Sequence, residues 1–310
     1  MKEINKTQVW LAQTRANFLL LAVFLVAIGL TYAAKYADAS FNVWHAVLIT
    51  IGTIAAHVSV NLFNEYSDFR TRIDFDTNQT PFSGGSKMLV SGKTTPLQVR
   101  MASILSLLLA AGIGLYFTIV SHWSIAVIAL LGAFAIVYYT PLLAKILLGE
   151  FFAGLTLGTL VVIGTYIAMN AQPGMSLGQL VPLEVWLMSI PPGILTALLL
   201  LLNEFPDAEA DKKGGRHHLV IKFGKRTAAW IYTAGIVLTF GTIILLPVLG
   251  IASLWIYLAL LPLPLAVKAS QTAIVHGSDN ALLIPAMGMN VMVVLATDLL
   301  IAVAVLIQIL

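Results

Sequence analysis

Polarity along this chain comes in blocks. Runs of mostly apolar residues at roughly 16–34, 44–63, 97–119, 123–139, 149–170, 180–203, 226–248, 250–270 and 285–308 are separated by shorter polar segments. A helix of about twenty residues, rising ~1.5 Å per residue, covers a ~30 Å hydrocarbon core. Each run therefore predicts a membrane-crossing helix. No stretch alternates apolar and polar residues as the strands of a membrane barrel do. The pattern reads as all-α, a polytopic membrane bundle of nine transmembrane helices forming a single domain over residues 1–310.

Composition agrees. Of 310 residues 59% are hydrophobic and only 10% charged, against a usual ~25% charged, which excludes a water-soluble globular domain. There is no cysteine, so disulfides, thiolate metal sites and a cysteine nucleophile are excluded. The formal charge of +3 reflects topology rather than nucleic-acid binding. With a cytoplasmic N-terminus, sixteen of the seventeen Lys and Arg residues fall on cytoplasmic segments and only Lys35 falls outside. This positive-inside distribution supports the nine spans and a multi-pass cell-membrane protein with its long polar loops in the cytoplasm. Lys2 and Lys6 before the first span, and Ala37-Asp38-Ala39 after it, resemble a cleaved leader. The span exceeds the ~7–15-residue apolar core of such leaders, however, and is read as a membrane helix.

The connections after the second and sixth spans hold eight of the fourteen acidic residues: Glu65, Asp68, Asp74, Asp76, Glu204, Asp207, Glu209 and Asp211. They also repeat. Asn64-Glu65-Tyr66-Ser67-Asp68 returns as Asn203-Glu204-Phe205-Pro206-Asp207 at a period of 139 residues. That period spans four crossings, an even number, so both copies emerge on one side. The chain is thus two parallel four-helix units plus a ninth helix, unlike the inverted repeats of many transporters.

Asn64 and Asp68 are four apart, as are Asp207 and Asp211. If the ends of spans two and six stay helical, each pair shares a face. One such pair is ordinarily a solvated acidic loop, but repetition at equivalent places points to a site. Oxygen donors without Cys or His suit a hard ion, and Mg²⁺ also shares its coordination with phosphate oxygens. Nearby bases fit an anionic partner: Arg70, Arg72 and Lys87 in the first loop, Lys212, Lys213 and Arg216 in the second. Gly84-Gly85-Ser86-Lys87 offers backbone N–H groups beside an ammonium, an anion nest or simply a turn. Tyr138 and Tyr139 close span four, where a ring face attracts a cation, and Lys145 follows as a clamp for a diphosphate or an interfacial anchor. Deep in the last span lie Asp298 and Asn290. An acid there is a functional hint, though no basic partner is visible. His57, seven residues before Asn64, either approaches the same cavity or serves packing.

Asn64-x-x-x-Asp68-x-x-x-x-x-Asp74, Phe82-Ser83-Gly84-Gly85-Ser86-Lys87, Tyr138-Tyr139-Thr140-Pro141 with Lys145, Gly149-Glu150, and Asn203-Glu204-Phe205-Pro206-Asp207-x-x-x-Asp211 with Gly215-Arg216 together resemble the UbiA family of intramembrane prenyltransferases. The likeness is strongest to its 1,4-dihydroxy-2-naphthoate polyprenyltransferase branch and runs nearly end to end. Three positions depart from the family pattern: Glu65 in place of a frequent Asp, Arg72 where other branches carry a further Asp, and Ala16 rather than Pro after Arg15. The resemblance implies a nine-helix bundle around a cavity that opens sideways to lipid. It implies Mg²⁺ on Asn64, Asp68, Asp207 and Asp211, binding a polyprenyl diphosphate with help from Arg72, Lys87, Lys145 and Arg216. Ionisation would leave an allylic carbocation for an electron-rich aromatic acceptor to attack. Asp74 would position or deprotonate that acceptor and Tyr139 would shield the cation.

The expected partners are thus a polyprenyl diphosphate, an aromatic acceptor and the lipid bilayer, with no nucleic acid. The expected process is quinone biosynthesis, and menaquinone biosynthesis for the naphthoate acceptor. The acceptor alternatives are 4-hydroxybenzoate or another quinone precursor. A membrane transporter is the rival of another class. It would line a path with polar groups at mid-membrane, whereas the charges here crowd one interface.

Overall fold

The computed structural model describes residues 5–37 and 41–310; Lys2 and the Asp38-Ala39 pair lie outside them. Every regular element among the described residues is helical. α1 (Lys6–Gln13) starts with a reciprocal cap, Asn5 Oδ1 accepting the Gln8 N–H at 2.9 Å and Gln8 Oε1 accepting the Asn5 N–H at 3.1 Å. Arg15, in the left-handed region at φ 51°, turns the chain into α2 (Leu19–Lys35). Then come α3 (Val43–Thr71), the single turn α4 (Ile73–Asp76), α5 (Pro96–Val120) and α6 (Ser124–Tyr138). The second half holds α7 (Gly149–Asn170), α8 (Leu183–Lys213), α9 (Leu219–Val248), α10 (Leu254–His276) and α11 (Asn280–Ile307).

Eight of these helices are long and apolar enough to cross a membrane, and α6 is a shorter apolar one. With α6 they match the nine expected spans, and the chain is a multi-pass membrane protein. Neighbours pack in chain order, α2 on α3, α3 on α5 and so on to α10 on α11, and α11 closes the ring against α2. The buried apolar core runs through α2, α7, α8, α9, α10 and α11. α5 and α6 turn Leu105, Leu108, Leu115, Ile119 and Leu130 outward, as helices facing lipid do.

The boundaries depart from the hydrophobic pattern where chemistry intrudes. The second and sixth apolar runs stop near 63 and 203, yet α3 continues to Thr71 and α8 to Lys213. Polar side chains there meet partners within the protein, so backbone hydrogen bonding carries the helix past the end of the apolar run. α9 begins at Leu219, earlier than the expected 226, and breaks at Gly224, whose φ of 78° and ψ of 158° no helix holds. α10 opens as a 3₁₀ stretch, Leu254–Leu260, ahead of Pro262 and Pro264.

α7 and α8 cross unusually closely. A Cβ on Gly154 would sit 2.5 Å from the Gly193 carbonyl oxygen, and one on Gly158 would sit 2.6 Å from Gly193 Cα. Backbones approach this way only where side chains are missing. At the same place Ala153–Thr159 is wound as a π-helix, a local widening common near functional sites. Gly158→Ala is expected to destabilise the purified protein by about 1–3 kcal/mol through overpacking. Gly241→Ala, where a Cβ meets nothing within 4 Å, should leave thermal unfolding unchanged or raise its midpoint, and equal melting of the two variants would contradict the close crossing.

Candidate active site

A cavity of about 260 Å³ lies between α2, α3, α6, α7 and α8. Phe18, Leu21, Leu157, Val161 and Leu199 give it apolar walls, and Asn64, Asp68, Asp74, Asn203, Asp207 and Asp211 gather with Arg15 and Arg216 at its polar end. A second cavity of about 180 Å³ shares Thr53, Ala56, Gly132, Ile136, Thr156 and Val161 with it and continues along apolar side chains of α5, α6 and α7.

The polar end is built from the two repeats. Because α3 and α8 stay helical, Asn64 and Asp68 share one face, Asn203 and Asp207 share the equivalent face, and Asp211 lies one turn further. The 139-residue offset pairs Asp211 with Arg72, so the first repeat lacks this last carboxylate. At Arg72 the helix ends in the left-handed region, φ 66°. Its side chain stays exposed, the guanidinium 5.3 Å from the Phe75 ring centre. The turn that follows swings Asp74 into the cavity, buried, while Asp76 remains at the surface 3.8 Å from Lys213. Asp74 thus brings a carboxylate from the first repeat's loop to the cavity wall.

Arg216 joins the halves. Its guanidinium pairs with Asp68 and, at 2.8 Å, with Asp211. With the Asn64 amide turned so that its oxygen faces the guanidinium, that oxygen accepts from Arg216 Nη2 at 2.8 Å. Burial disfavours the Arg216 charge, but Asp68 and Asp211 outweigh it and raise its pKa.

The loop after α4 forms the lid of this end. Gly84 N–H donates to Asp207 Oδ2 at 3.0 Å, and a Cβ at Gly85 would overlap the Asp74 carboxylate. Both glycines have positive φ, 83° and 70°. Ser86 N–H and Oγ donate to Glu65, which also accepts from Gln13 Nε2 at 3.4 Å. The extra methylene of Glu65 relative to Asp lets it tie the loop to α1 instead of facing the cavity. The donors of the expected nest are thus given largely to the protein's own carboxylates. Lys87 Nζ donates to the Asp74 carbonyl and, at 2.9 Å, to the Thr77 carbonyl, anchoring the loop.

Tyr139 lines the cavity. Lys145 is exposed and lines a neighbouring cavity of about 400 Å³ with Arg70, and Arg216 lines both. Arg72 lines neither. Asp298 is fully buried in α11 away from the site, and Asn290 is held by Tyr232 Oη at 3.0 Å. Arg15 and Asn203 are cavity residues whose roles were not legible; for Asn203 the repeat itself was the available signal.

Three buried oxygens at the polar end, Asp74 Oδ2, Asn203 Oδ1 and Asp207 Oδ1, have no hydrogen-bond partner. Unpaired buried acceptors require an explanation, and an all-oxygen cluster of this kind fits a hard divalent cation.

The UbiA prenyltransferase family matches residues 20–292. The chain belongs to that family. Among its relatives is the 1,4-dihydroxy-2-naphthoate octaprenyltransferase of Bacillus subtilis, 29% identical over 83% of this chain and 79% of the relative. The fold is that of the apo UbiA homolog from Aeropyrum pernix, with a TM-score of 0.71 at 15% identity over 95% of this chain and 98% of the other. A UbiA homolog from Archaeoglobus fulgidus bound to GPP and Mg²⁺ aligns with a TM-score of 0.58 at 15% identity, covering 94% and 99%. As a UbiA-family member the chain is a prenyltransferase.

Burial, then Asp68 and Glu65, push the Asp74 carboxyl up to about 8. Its folded pKa exceeds the unfolded value near 4, so this group's contribution to stability is full below about pH 4, falls as pH rises and is gone above about pH 8. In chelator-treated protein, thermal stability should therefore drop more steeply between pH 5 and 8 for the wild type than for Asp74→Asn. Parallel curves would contradict this electrostatic assignment.

Proposed function

We propose that residues 1–310 work as one catalytic unit in the cell membrane, with the polar end of the cavity cytoplasmic, and transfer a polyprenyl group from its diphosphate to 1,4-dihydroxy-2-naphthoate with Mg²⁺. The observation that carries this reading is the set of unpartnered buried oxygens on Asp74, Asn203 and Asp207 at the end of an apolar cavity. The name of the Bacillus subtilis relative supports the acceptor, and the GPP and Mg²⁺ of the Archaeoglobus fulgidus homolog support the donor and the metal.

Asn64, Asp68, Asp207 and Asp211 would hold the metal, with Asn203 as a further oxygen donor. When bound, Mg²⁺ neutralises charge that develops on the diphosphate as the allylic C–O bond breaks. Arg216 and Arg15 are the fixed positive charges on the cavity wall and take the diphosphate oxygens. Lys87 holds the loop that presents Gly84 and Gly85, while Lys145 and Arg72 add positive potential at the approach. Tyr139 faces the cavity where its ring attracts the allylic cation. Asp74, which would be ionised beside a bound cation, orients the acceptor and takes the ring-hydroxyl proton as the carboxylate-bearing ring carbon bonds to the allylic carbon. The C–C bond to the carboxylate then breaks, its electron pair restoring the aromatic ring as CO₂ leaves, and the proton returns from Asp74 to the ring oxygen. The apolar walls exclude water, which would otherwise quench the cation, and the second cavity extends the space for the prenyl chain.

Purified protein given a labelled polyprenyl diphosphate should prenylate 1,4-dihydroxy-2-naphthoate only with a divalent cation. Asp68→Ala and Asp207→Ala should each lower the rate about 10²–10³-fold, the usual effect of removing an electrostatic stabiliser. Undiminished turnover in EDTA, or in both variants, overturns the mechanism. Transfer only to 4-hydroxybenzoate overturns the acceptor.

A further inference from the structure

Beside the polar end of the cavity, and sharing Glu204 with its wall, lies a cluster to which the transfer reaction gives no role. Glu150 sits in the first turn of α7, Glu204 on α8 and His218 at the N-cap of α9. One ligand atom from each lies within 4.8 Å of the others. The three residues are only 4%, 7% and 1% exposed. Glu204 is the repeat partner of Glu65, but where Glu65 is satisfied by Ser86 and Gln13, Glu204 meets a second carboxylate and an imidazole.

The hydrogen bonds around the cluster leave acceptor atoms pointing inward. Glu150 Oε1 accepts the Leu219 N–H at 2.8 Å, so that oxygen is satisfied from outside. His218 Nε2 lies 3.3 Å from Asp211 Oδ2. A proton on Nε2 donated to Asp211 leaves Nδ1 with its lone pair exposed, 3.4 Å from Glu204 Oε2. Glu150 Oε2, Glu204 Oε2 and His218 Nδ1 have no hydrogen-bond partner. Three buried acceptors facing one another repel unless a shared proton or a cation lies between them.

We propose that Glu150, Glu204 and His218 form a second cation site, distinct from the oxygen-only cluster and suited to a divalent transition ion such as Zn²⁺. The ligand set of two carboxylates and one imidazole is that of a borderline-soft ion. A tetrahedral ion with ligands at ~2.0–2.2 Å has ligand–ligand edges of about 3.3–3.6 Å, and the Nδ1–Oε2 separation is 3.4 Å. Asp211 then plays the orienting part of a carboxylate–histidine–metal arrangement, fixing the tautomer of the ring. Charge favours occupancy as well, since the Arg216 guanidinium is already paired with Asp68 and Asp211 and leaves Glu150 and Glu204 without an ion-pair partner of their own among the described Lys and Arg residues. Such an ion would clamp the starts of α7 and α9 to α8 and hold Asp211 in place for the diphosphate site.

The test is metal binding, which does not depend on the prenyl-transfer reading. The full chain, purified in detergent and dialysed against Zn²⁺ with excess Mg²⁺, should retain about one equivalent of zinc. His218→Ala and the isosteric Glu204→Gln should lose it, Asp68→Asn should keep it, and Asp211→Asn should weaken it about 10–100-fold through the outer-shell bond. Co²⁺ in place of Zn²⁺ should give the intense visible absorption of a low-coordinate site with a nitrogen ligand, absent in Glu204→Gln. Wild-type protein that retains no zinc overturns the proposal. So does an equivalent that survives both His218→Ala and Glu204→Gln, or one that disappears in Asp68→Asn.

Discussion

Two carboxylates taken out of water need a partner within hydrogen-bonding reach, and here Arg216 serves both. Asp68 comes from α3 and Asp211 from α8, so a single guanidinium fastens the two repeats at the end where they diverge. Breaking a pair of this kind would leave an uncompensated buried charge, which constrains everything around it. The helices must run on past their apolar stretches to bring Asp68 and Asp211 level. The segment between α8 and α9 must fold back to place Arg216, and the His217 N–H to Ala144 carbonyl bond at 2.7 Å secures that return.

The same constraint shapes the backbone elsewhere. Gly84 and Gly85 lie against Asp207 and Asp74 because a side chain on Gly85 would fill the space that the carboxylate occupies. Gly154, Gly158 and Gly193 let α7 meet α8 closely, drawing Glu150 toward Glu204. Positive φ at Arg15 and Arg72 marks the two turns that lead into the cavity's polar end. Strained backbone of this sort persists only where surrounding contacts over-determine it.

The two repeats build the site together, and their equivalent residues do different work. Asn64 and Asn203, and Asp68 and Asp207, kept matching positions, whereas Glu65 became a strut to the loop and α1 while Glu204 turned to Glu150 and His218. Arg72 stands at the repeat position of Asp211, and the turn after it carries Asp74 into the cavity. The outcome is a cluster with carboxylates from both repeats but no symmetry in how each is held.

The helical membrane architecture, the doubled motif and the pairing of Asn64 with Asp68 could be read directly from the chain. Hydrophobic blocks of bilayer length and residues four apart on a helix are local properties, written in consecutive positions. Tertiary structure alone decided which charges meet. Nothing local separates Asp74 from Asp76, or Lys87 in its loop from Lys145 beside a neighbouring cavity. Nor does spacing reveal that Arg216 reaches Asp68, because that bond closes 148 residues of chain. Glu150, Glu204 and His218 lie on three different helices and come together only through their packing. Burial and partner choice are properties of the packed bundle, and they set which of many similar side chains carry the chemistry.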